Sequence, residues 1–131
     1  MFDVVVIGSG PGGYVAAIKG TQLGGKVALV EGHKIGGCCL NVGCIPTKAL
    51  VHAAHTYINA QHSEKFGVKN QGVELDLAGV MAHKERTVNQ LVGGVDMLLK
   101  GNGITVYRGW AQVPAPGKVE VAMPDGSKEI L

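Results

Sequence analysis

The chain has 131 residues, of which 46 % are hydrophobic and 17 % are charged, and its formal net charge is +2. This length suits one α/β domain, and the Lys and Arg residues are scattered rather than gathered into a stripe that would bind nucleic acid. Because no apolar run approaches the roughly 18 residues of a membrane span, and the first apolar run begins directly after Met1, we expect a cytoplasmic protein without a targeting segment.

The first predicted elements are a strand, a glycine-rich turn and a helix. Residues 2–7 form an apolar run rich in valine, and a helical pattern extends from the turn to about Leu23. The turn has the spacing G-x-G-x-x-G, which allows a tight bend, close approach of a pyrophosphate and close packing of helix on strand. It consists of Gly8, Ser9, Gly10, Pro11, Gly12 and Gly13. We predict that these six residues bind a dinucleotide.

A second apolar run, residues 26–30, predicts the next strand, and it ends in Glu31. Glu31 follows Gly13 by 18 residues, close to the spacing at which an acidic side chain binds a ribose hydroxyl in this kind of domain. An ordinary solvated residue at a strand end is the alternative. Strand, turn, helix, strand and acidic residue together predict a dinucleotide-binding α/β domain.

Residues 36–48 contain all three cysteines, Cys38, Cys39 and Cys44. A regular helix would separate Cys39 from Cys44 by roughly 7.5 Å, which is beyond the reach of a disulfide. A bond between them therefore requires an irregular turn, and Asn41 and Gly43 are residue types that accept unusual backbone angles.

Redox chemistry is the favoured interpretation of these thiols, with a structural staple, a metal site and inert thiols as the alternatives. A staple closing so short a loop would contribute only about 2 kcal/mol. Zinc sites usually add a second pair of ligands at a distance, and no such pair follows, so we predict no metal.

The segment after Cys44 indicates how its reactivity is set. Ile45 precedes a proline and is expected outside the helical region, whereas Pro46 suits the first position of a helix that extends to about residue 60. Cys44 should then lie just outside a helix N-terminus. The helix end and the ammonium of Lys48 should lower the pKa of this thiol. We expect Cys44 to be held as a thiolate and Cys39 to exchange with an external substrate.

The remaining segments predict a loop, a long helix and a meander. The loop covers residues 62–72, the helix residues 77–100, and the strands residues 104–112, 118–123 and 127–131.

Both motifs resemble those of the FAD-dependent pyridine nucleotide-disulfide oxidoreductases. Residues 8–13 match that family's FAD fingerprint, and residues 36–48 match its motif Gly-Gly-x-Cys-Leu-Asn-x-Gly-Cys-Ile-Pro-Ser-Lys. The resemblance implies a Rossmann-like FAD-binding domain with a parallel sheet, a βαβ start and a small antiparallel β-meander. It also implies that residues 1–131 are the N-terminal part of this domain, which is incomplete, and that the NAD-binding and dimerisation domains are absent from this chain.

The resemblance also implies roles for individual residues. Cys39 becomes the interchange thiol, Cys44 the thiolate beneath the flavin ring, Lys48 the cation near the flavin N5 edge and Glu31 the ribose ligand. The segment 107–111 resembles the strand whose backbone meets the adenine, which places Ala111 there. Further cofactor contacts are implied at Gly36, Gly37 and Cys38.

Two positions depart from the family's motif. The residue before the interchange cysteine is usually threonine, but here it is Cys38, so a third thiol adjoins the active pair. Thr47 stands where serine is common and keeps a hydroxyl group.

The residues around the cysteines resemble the branch of the family that acts on lipoyl groups, on the evidence of Leu40, Ile45, Ala49 and Leu50. This implies oxidation of dihydrolipoamide to lipoamide with NAD+ through a Cys39–Cys44 disulfide and FAD. The implied partners are the lipoyl group of an E2 or H-type carrier protein and a second copy of the subunit. The alternatives are a glutathione or mercuric reductase and, for these 131 residues alone, a non-catalytic FAD-binding module.

Overall fold

Two three-stranded sheets and the helices around them organise the chain, in a computed structural model that describes residues 1–131. In chain order the elements are β1 (Val4–Ile7), α1 (Pro11–Gln22), β2 (Val27–Glu31), α2 (Gly37–Asn41), α3 (Cys44–Gln61), a 3-10 turn (Ser63–Phe66), α4 (Leu77–Gly101), β3 (Thr105–Arg108), β4 (Trp110–Ala115), β5 (Lys118–Ala122) and β6 (Lys128–Ile130). None of the helices combines the length and apolar character that crossing a membrane requires.

The first sheet is parallel, with the strand order β1-β2-β3. Val4 pairs with Val27, and Ala28 pairs with Thr105, so β2 lies in the centre and all five of its residues are buried. A central parallel strand covered on both faces is expected to be continuously apolar, which is the pattern of residues 27–30. The β1-α1-β2 start and the parallel sheet confirm the predicted α/β, Rossmann-like fold class.

The main hydrophobic core lies between this sheet and three helices. Ala17 from α1, Leu29 from β2, Leu40 from α2 and Leu99 from α4 belong to one buried cluster. Helices α1, α2 and α4 therefore share a core with the central strand. This core fixes α2, which carries two of the cysteines, relative to the sheet.

The second sheet is antiparallel, with the order β4-β5-β6, and it corrects one prediction. Residues 104–112 were expected to form a single strand, but they form β3 and β4, which belong to different sheets. The chain changes sheets at Gly109, whose N–H donates to the Glu31 carbonyl at 2.9 Å and whose missing Cβ would overlap the carbonyl oxygen of Ala122. A glycine permits this close approach. The predicted strands over residues 118–123 and 127–131 are confirmed as β5 and β6.

The start of α3 corrects a second prediction. The helix begins at Cys44, so Cys44 and Ile45 are helical and Pro46 is the third residue. Proline is tolerated there because the N–H groups of the first helical turn have no intrahelical partner. Ile45 packs against the main core, and this tertiary contact outweighs the local preference of a residue before proline.

Asn41 was expected to accept unusual backbone angles in the turn between the cysteines. It lies instead in α2, and no residue other than glycine has a positive φ. Its side-chain amide instead donates to the carbonyls of Ile35 and Gly37, both at 2.9 Å. Gly43 does adopt an unusual conformation, with φ −116° and ψ −101°. The irregular turn between the cysteines is therefore built on Gly43, while Asn41 holds α2 to the preceding loop.

Two adjacent glycines in the first turn of α1 provide a test of how closely this helix packs on the glycine turn. A Cβ at Gly13 would overlap the carbonyl oxygen of Gly8 and lie 2.9 Å from its carbonyl carbon, whereas a Cβ at Gly12 would meet nothing within 4 Å. We predict that Gly13→Ala destabilises the protein by about 1–3 kcal/mol, the usual range for overpacking. Gly12→Ala should be neutral or should stabilise by up to about 1 kcal/mol, because alanine favours helix. Denaturant unfolding followed by circular dichroism measures both, and equal midpoints for the two variants would contradict this packing.

Candidate functional site

The glycine-rich turn joins β1 to α1 and leaves an open, side-chain-free surface at the start of the helix. Gly8 has φ 93° and donates its N–H to the Val30 carbonyl at 2.7 Å, which bends the chain against β2. Gly10 is the N-cap of α1, and no side chain caps this helix end. A Cβ at Gly10 or Gly12 would meet nothing within 4 Å. A helix N-terminus with open backbone around it suits an anionic phosphate group.

Glu31 ends β2 beside this turn and is only 8 % exposed. Its Oε2 atom accepts hydrogen bonds from the Ser9 N–H at 2.9 Å and the Ser9 hydroxyl at 2.5 Å, and its Oε1 atom accepts from the His33 N–H at 2.8 Å. Burial raises the pKa of Glu31, but the hydrogen bonds from Ser9 and His33 and the charge of Arg108 outweigh it, so the pKa lies below its ordinary value. The carboxylate is therefore ionised at neutral pH.

Ser9 connects three segments of the chain from a completely buried position. Its hydroxyl donates to Glu31, and the N–H of Gly36 donates both to the Ser9 carbonyl at 3.1 Å and to the Ser9 Oγ atom at 3.2 Å. These bonds join the glycine turn, the end of β2 and the residue before α2. We call Ser9, Glu31 and Gly36 the serine network.

The start of α2 is pressed against the glycine turn. A Cβ at Gly37 would lie 2.9 Å from the Cα of Gly10, and a Cβ at Gly36 would lie 2.6 Å from the side chain of Leu40. Both glycines have positive φ, 90° at Gly36 and 57° at Gly37. The structure thus brings the two predicted motifs into direct backbone contact.

Cys39 and Cys44 form a disulfide, with Cα atoms 4.6 Å apart. The pairing that the resemblance implied is present in the structure. Cys39 lies in α2 and is half-buried, and Cys44 is the exposed first residue of α3. The connection between them is folded tightly, because the N–H groups of Val42 and Gly43 both donate to the Cys38 carbonyl, at 2.9 and 2.8 Å. Cys38 has an exposed, free thiol.

Lys48 lies four residues after Cys44 in α3, which places the two on the same side of the helix. Its side chain is exposed and takes part in no ion pair with a carboxylate. The only charged side chain within one turn of Cys44 in α3 is therefore the Lys48 ammonium.

Ala111, the remaining predicted site residue, lies in the second sheet. It is half-buried in β4 and pairs with Val121. The residues just before it are nearer to Glu31: Gly109 and Trp110 line a cleft of about 350 Å³ that also includes Glu31.

The sequence reasoning missed several residues around Glu31. It assigned no role to the N–H of His33, to Gly32, or to Trp110, whose ring lies so close to Gly32 that a Cβ there would come within 2.7 Å of it. It predicted Ser9 as one of the dinucleotide-binding residues of the turn but gave its hydroxyl no structural role, although this hydroxyl makes two of the hydrogen bonds of the serine network. A glycine directly after the strand was the available signal for the Trp110 contact.

The lowered pKa of Glu31 predicts a pH-dependent loss of stability. A group whose pKa falls on folding stabilises the folded state above its unfolded pKa, and this stability is lost as the pH falls through the folded pKa. We predict that Glu31→Gln lowers the free energy of unfolding by about 1–3 kcal/mol at neutral pH. The difference from wild type should shrink as the pH falls below about 4.5, the ordinary value. Denaturant unfolding at a series of pH values measures this.

The matched control is Glu74→Gln, because Glu74 is exposed and takes part in no ion pair. Its stability should follow that of the wild type at every pH. A Glu31→Gln difference that is constant from acid to neutral pH would contradict the ionised, hydrogen-bonded state of Glu31.

Comparison with known proteins extends these observations. The sequence profile of the pyridine nucleotide-disulphide oxidoreductases matches residues 2–130. Leghemoglobin reductase from Vigna unguiculata is 48 % identical over 131 residues, covering 98 % of this chain and 25 % of that protein. Dihydrolipoyl dehydrogenase from Staphylococcus aureus is 55 % identical over 109 residues, covering 83 % of this chain and 23 % of that protein. Mitochondrial dihydrolipoyl dehydrogenase from Dictyostelium discoideum is 52 % identical over 131 residues, covering 98 % and 27 %.

The chain thus spans about a quarter of the length of these relatives. The profile match nevertheless covers almost every residue, and it includes both the glycine turn and the disulfide. The chain belongs to the pyridine nucleotide-disulphide oxidoreductase family.

Proposed function

We propose that residues 1–131 are the N-terminal part of the FAD-binding domain of a dihydrolipoyl dehydrogenase. The observation that carries this proposal is the position of the Cys39–Cys44 disulfide. Cys39 lies in α2, and the start of α2 packs on the glycine turn. A dithiol beside a dinucleotide site is the arrangement that flavin-linked disulfide chemistry needs. Two of the relatives at 52–55 % identity are dihydrolipoyl dehydrogenases.

The residues present fit an FAD molecule. The open backbone at Gly10 and Gly12 and the uncapped start of α1 suit its pyrophosphate. The Glu31 carboxylate accepts three hydrogen bonds from protein groups, and since a carboxylate has about four acceptor positions, one remains for a ribose hydroxyl. The cleft beside Glu31, where Gly109 and Trp110 precede Ala111, suits the adenine.

Between the glycine turn and the disulfide, Gly36, Gly37 and Cys38 supply a short backbone path along which the cofactor would lie. The close contact of Gly37 with Gly10 makes this path continuous. Bound FAD would supply a two-electron acceptor next to the dithiol, and NAD+ would be the final acceptor. We expect the parts of the relatives that this chain does not span to provide the NAD-binding and dimerisation domains.

The dithiol would oxidise dihydrolipoamide in two exchange steps. A lipoyl thiolate attacks the Cys39 sulfur, the Cys39–Cys44 bond breaks, and Cys44 leaves as a thiolate. The second lipoyl thiol then attacks the mixed disulfide, which releases lipoamide and leaves Cys39 reduced. Two electrons pass to the cysteines, and the two lipoyl protons are released to solvent or to a base.

Exposure and leaving-group stability favour different sulfurs for the attack. Cys44 is the more exposed of the pair, which would favour attack on Cys44. However, attack on Cys39 expels Cys44 at the N-terminus of α3, one turn from Lys48, where a thiolate is stabilised by the helix and by the ammonium group. A better leaving thiolate accelerates exchange, so we assign Cys39 as the interchange thiol and Lys48 as a residue that stabilises the Cys44 thiolate.

The proposed partners follow from this chemistry. The substrate is the lipoyl group of an E2 or H-type carrier protein, and the working protein is a homodimer in the reducing cytoplasm. Glutathione or mercuric reduction through the same dithiol is the alternative, as is an FAD-binding role without catalysis for these residues alone.

A chimera tests the proposal, with residues 1–131 replacing the matching N-terminal segment of the Staphylococcus aureus dihydrolipoyl dehydrogenase. We predict that it binds FAD, seen as flavin absorbance, and oxidises dihydrolipoamide with NAD+. Cys44→Ser should retain the flavin but lower the turnover rate by several orders of magnitude, because no redox disulfide can form. Val42→Ala is the matched control in the same connection, and its rate should stay near that of the chimera because the Val42 side chain is 75 % exposed.

Three results would count against the proposal. A folded chimera without flavin would exclude the FAD assignment, and an active Cys44→Ser chimera would exclude the role of Cys44. A flavin-containing chimera that reduces glutathione disulfide but not lipoamide would favour the alternative substrate.

A further inference from the structure

A third sulfur lies next to the redox disulfide. Cys38 directly precedes Cys39 in α2, and its thiol is free and exposed. The Cys38 sulfur also lies beside the second cysteine's segment, because an ideal Cβ at Gly43, the residue before Cys44, would be 3.6 Å from it. Cys38 is therefore next to Cys39 in the sequence, and its sulfur lies close to Gly43, the residue before Cys44.

The folding of the connection maintains this arrangement. The Cys38 carbonyl accepts the N–H groups of both Val42 and Gly43, at 2.9 and 2.8 Å, so the chain turns back onto Cys38 before it enters α3. The Cys39–Cys44 bond also ties the start of α3 to α2, the helix that carries Cys38.

We propose that Cys38 is a third exchange thiol, which converts the Cys39–Cys44 disulfide into a Cys38–Cys44 disulfide. The Cys38 thiolate attacks the Cys44 sulfur, a Cys38–Cys44 bond forms, the Cys39–Cys44 bond breaks, and Cys39 leaves as a thiolate that takes up the proton lost by Cys38. One disulfide and one thiol are present before and after the step. The exchange therefore requires no oxidant or reductant.

The short helix α2 sets the balance between the two forms. It has five residues, and successive side chains of a helix are about 100° apart, so Cys38 can replace Cys39 only if α2 turns by roughly that angle. Leu40 is buried in the main core and Asn41 binds the carbonyls of Ile35 and Gly37, so both oppose this rotation. The Cys39–Cys44 form predominates, and the Cys38–Cys44 form is the minor one.

The consequence for catalysis rests on the proposed function. In the minor form Cys39 is a free thiol and Cys44 is bonded to Cys38, so the interchange thiol cannot receive electrons from a lipoyl group by the route described above. The exchange itself involves no flavin and no lipoyl group. It can therefore be tested in the 131-residue chain without FAD or a lipoyl substrate.

Differential alkylation of the oxidised wild-type chain tests the exchange. Free thiols are labelled with N-ethylmaleimide after incubation at about pH 7 and about pH 9, and the disulfide is then reduced and labelled with iodoacetamide. Cleavage after Lys34 and Lys48 gives one peptide containing all three cysteines. Tandem mass spectrometry then locates the maleimide on residue 38, 39 or 44.

We expect most of the maleimide on Cys38 and a minor fraction on Cys39, reached faster at the higher pH because more thiolate is present. Cys38→Ser is the matched control, and it should remove the label from Cys39. Label confined to Cys38 at both pH values would overturn the proposal, as would label on Cys39 that persists in Cys38→Ser. Label on Cys44 in place of Cys39 would identify a Cys38–Cys39 bond and would also overturn it.

Discussion

Ser9 is completely buried, and through one side chain and its own backbone it binds Glu31 from the end of β2 and Gly36 from the approach to α2. The hydrogen bonds of the serine network span sequence separations of 22 and 27 residues. They fix the distance between the glycine turn and the segment that carries the disulfide. Because an unpaired buried hydroxyl or carboxylate is costly, the three segments are stable only when they are assembled together.

Close contacts between backbone segments act together with the hydrogen bonds of the serine network to hold the site in place. Gly13 packs on Gly8, Gly37 packs on Gly10, and Gly109 packs on Ala122. At each of these contacts a Cβ would collide with backbone, which cannot move aside as a flexible side chain can. The site is thus built by bringing main chain against main chain. This leaves the start of α1 open for a phosphate group and places the start of α2, the helix that carries Cys39, against the glycine turn.

The parts of the fold that local pattern determines were predicted from the sequence. The apolar runs before Gly8 and Glu31 predicted β1 and β2, the glycine spacing predicted the turn, and the helical periodicity predicted α1 and α4. The Cys39–Cys44 pairing followed from the family resemblance rather than from spacing, because the spacing only established that a regular helix was excluded.

The features that were missed depend on contacts between distant residues. The start of α3 at Cys44 depends on the packing of Ile45 against the core, and the division of residues 104–112 into two strands depends on the contact of Gly109 with Glu31 and Ala122. The role of the Ser9 hydroxyl is of the same kind, since nothing near Ser9 in the sequence identifies Glu31 and Gly36 as its partners. Local propensity does not report such contacts.

Amide hydrogen exchange in a Ser9→Ala variant tests most directly whether the serine network joins the cofactor turn to the disulfide segment. Loss of the hydroxyl should cost about 1–3 kcal/mol locally, so the amides of His33, Gly36 and Leu40 should exchange about tenfold faster or more. Val121, buried in β5, serves as the internal reference, and Ser63→Ala is the matched serine control. Unchanged protection at Gly36 and Leu40 in Ser9→Ala would contradict the account, because the disulfide segment would then be held in place without the network.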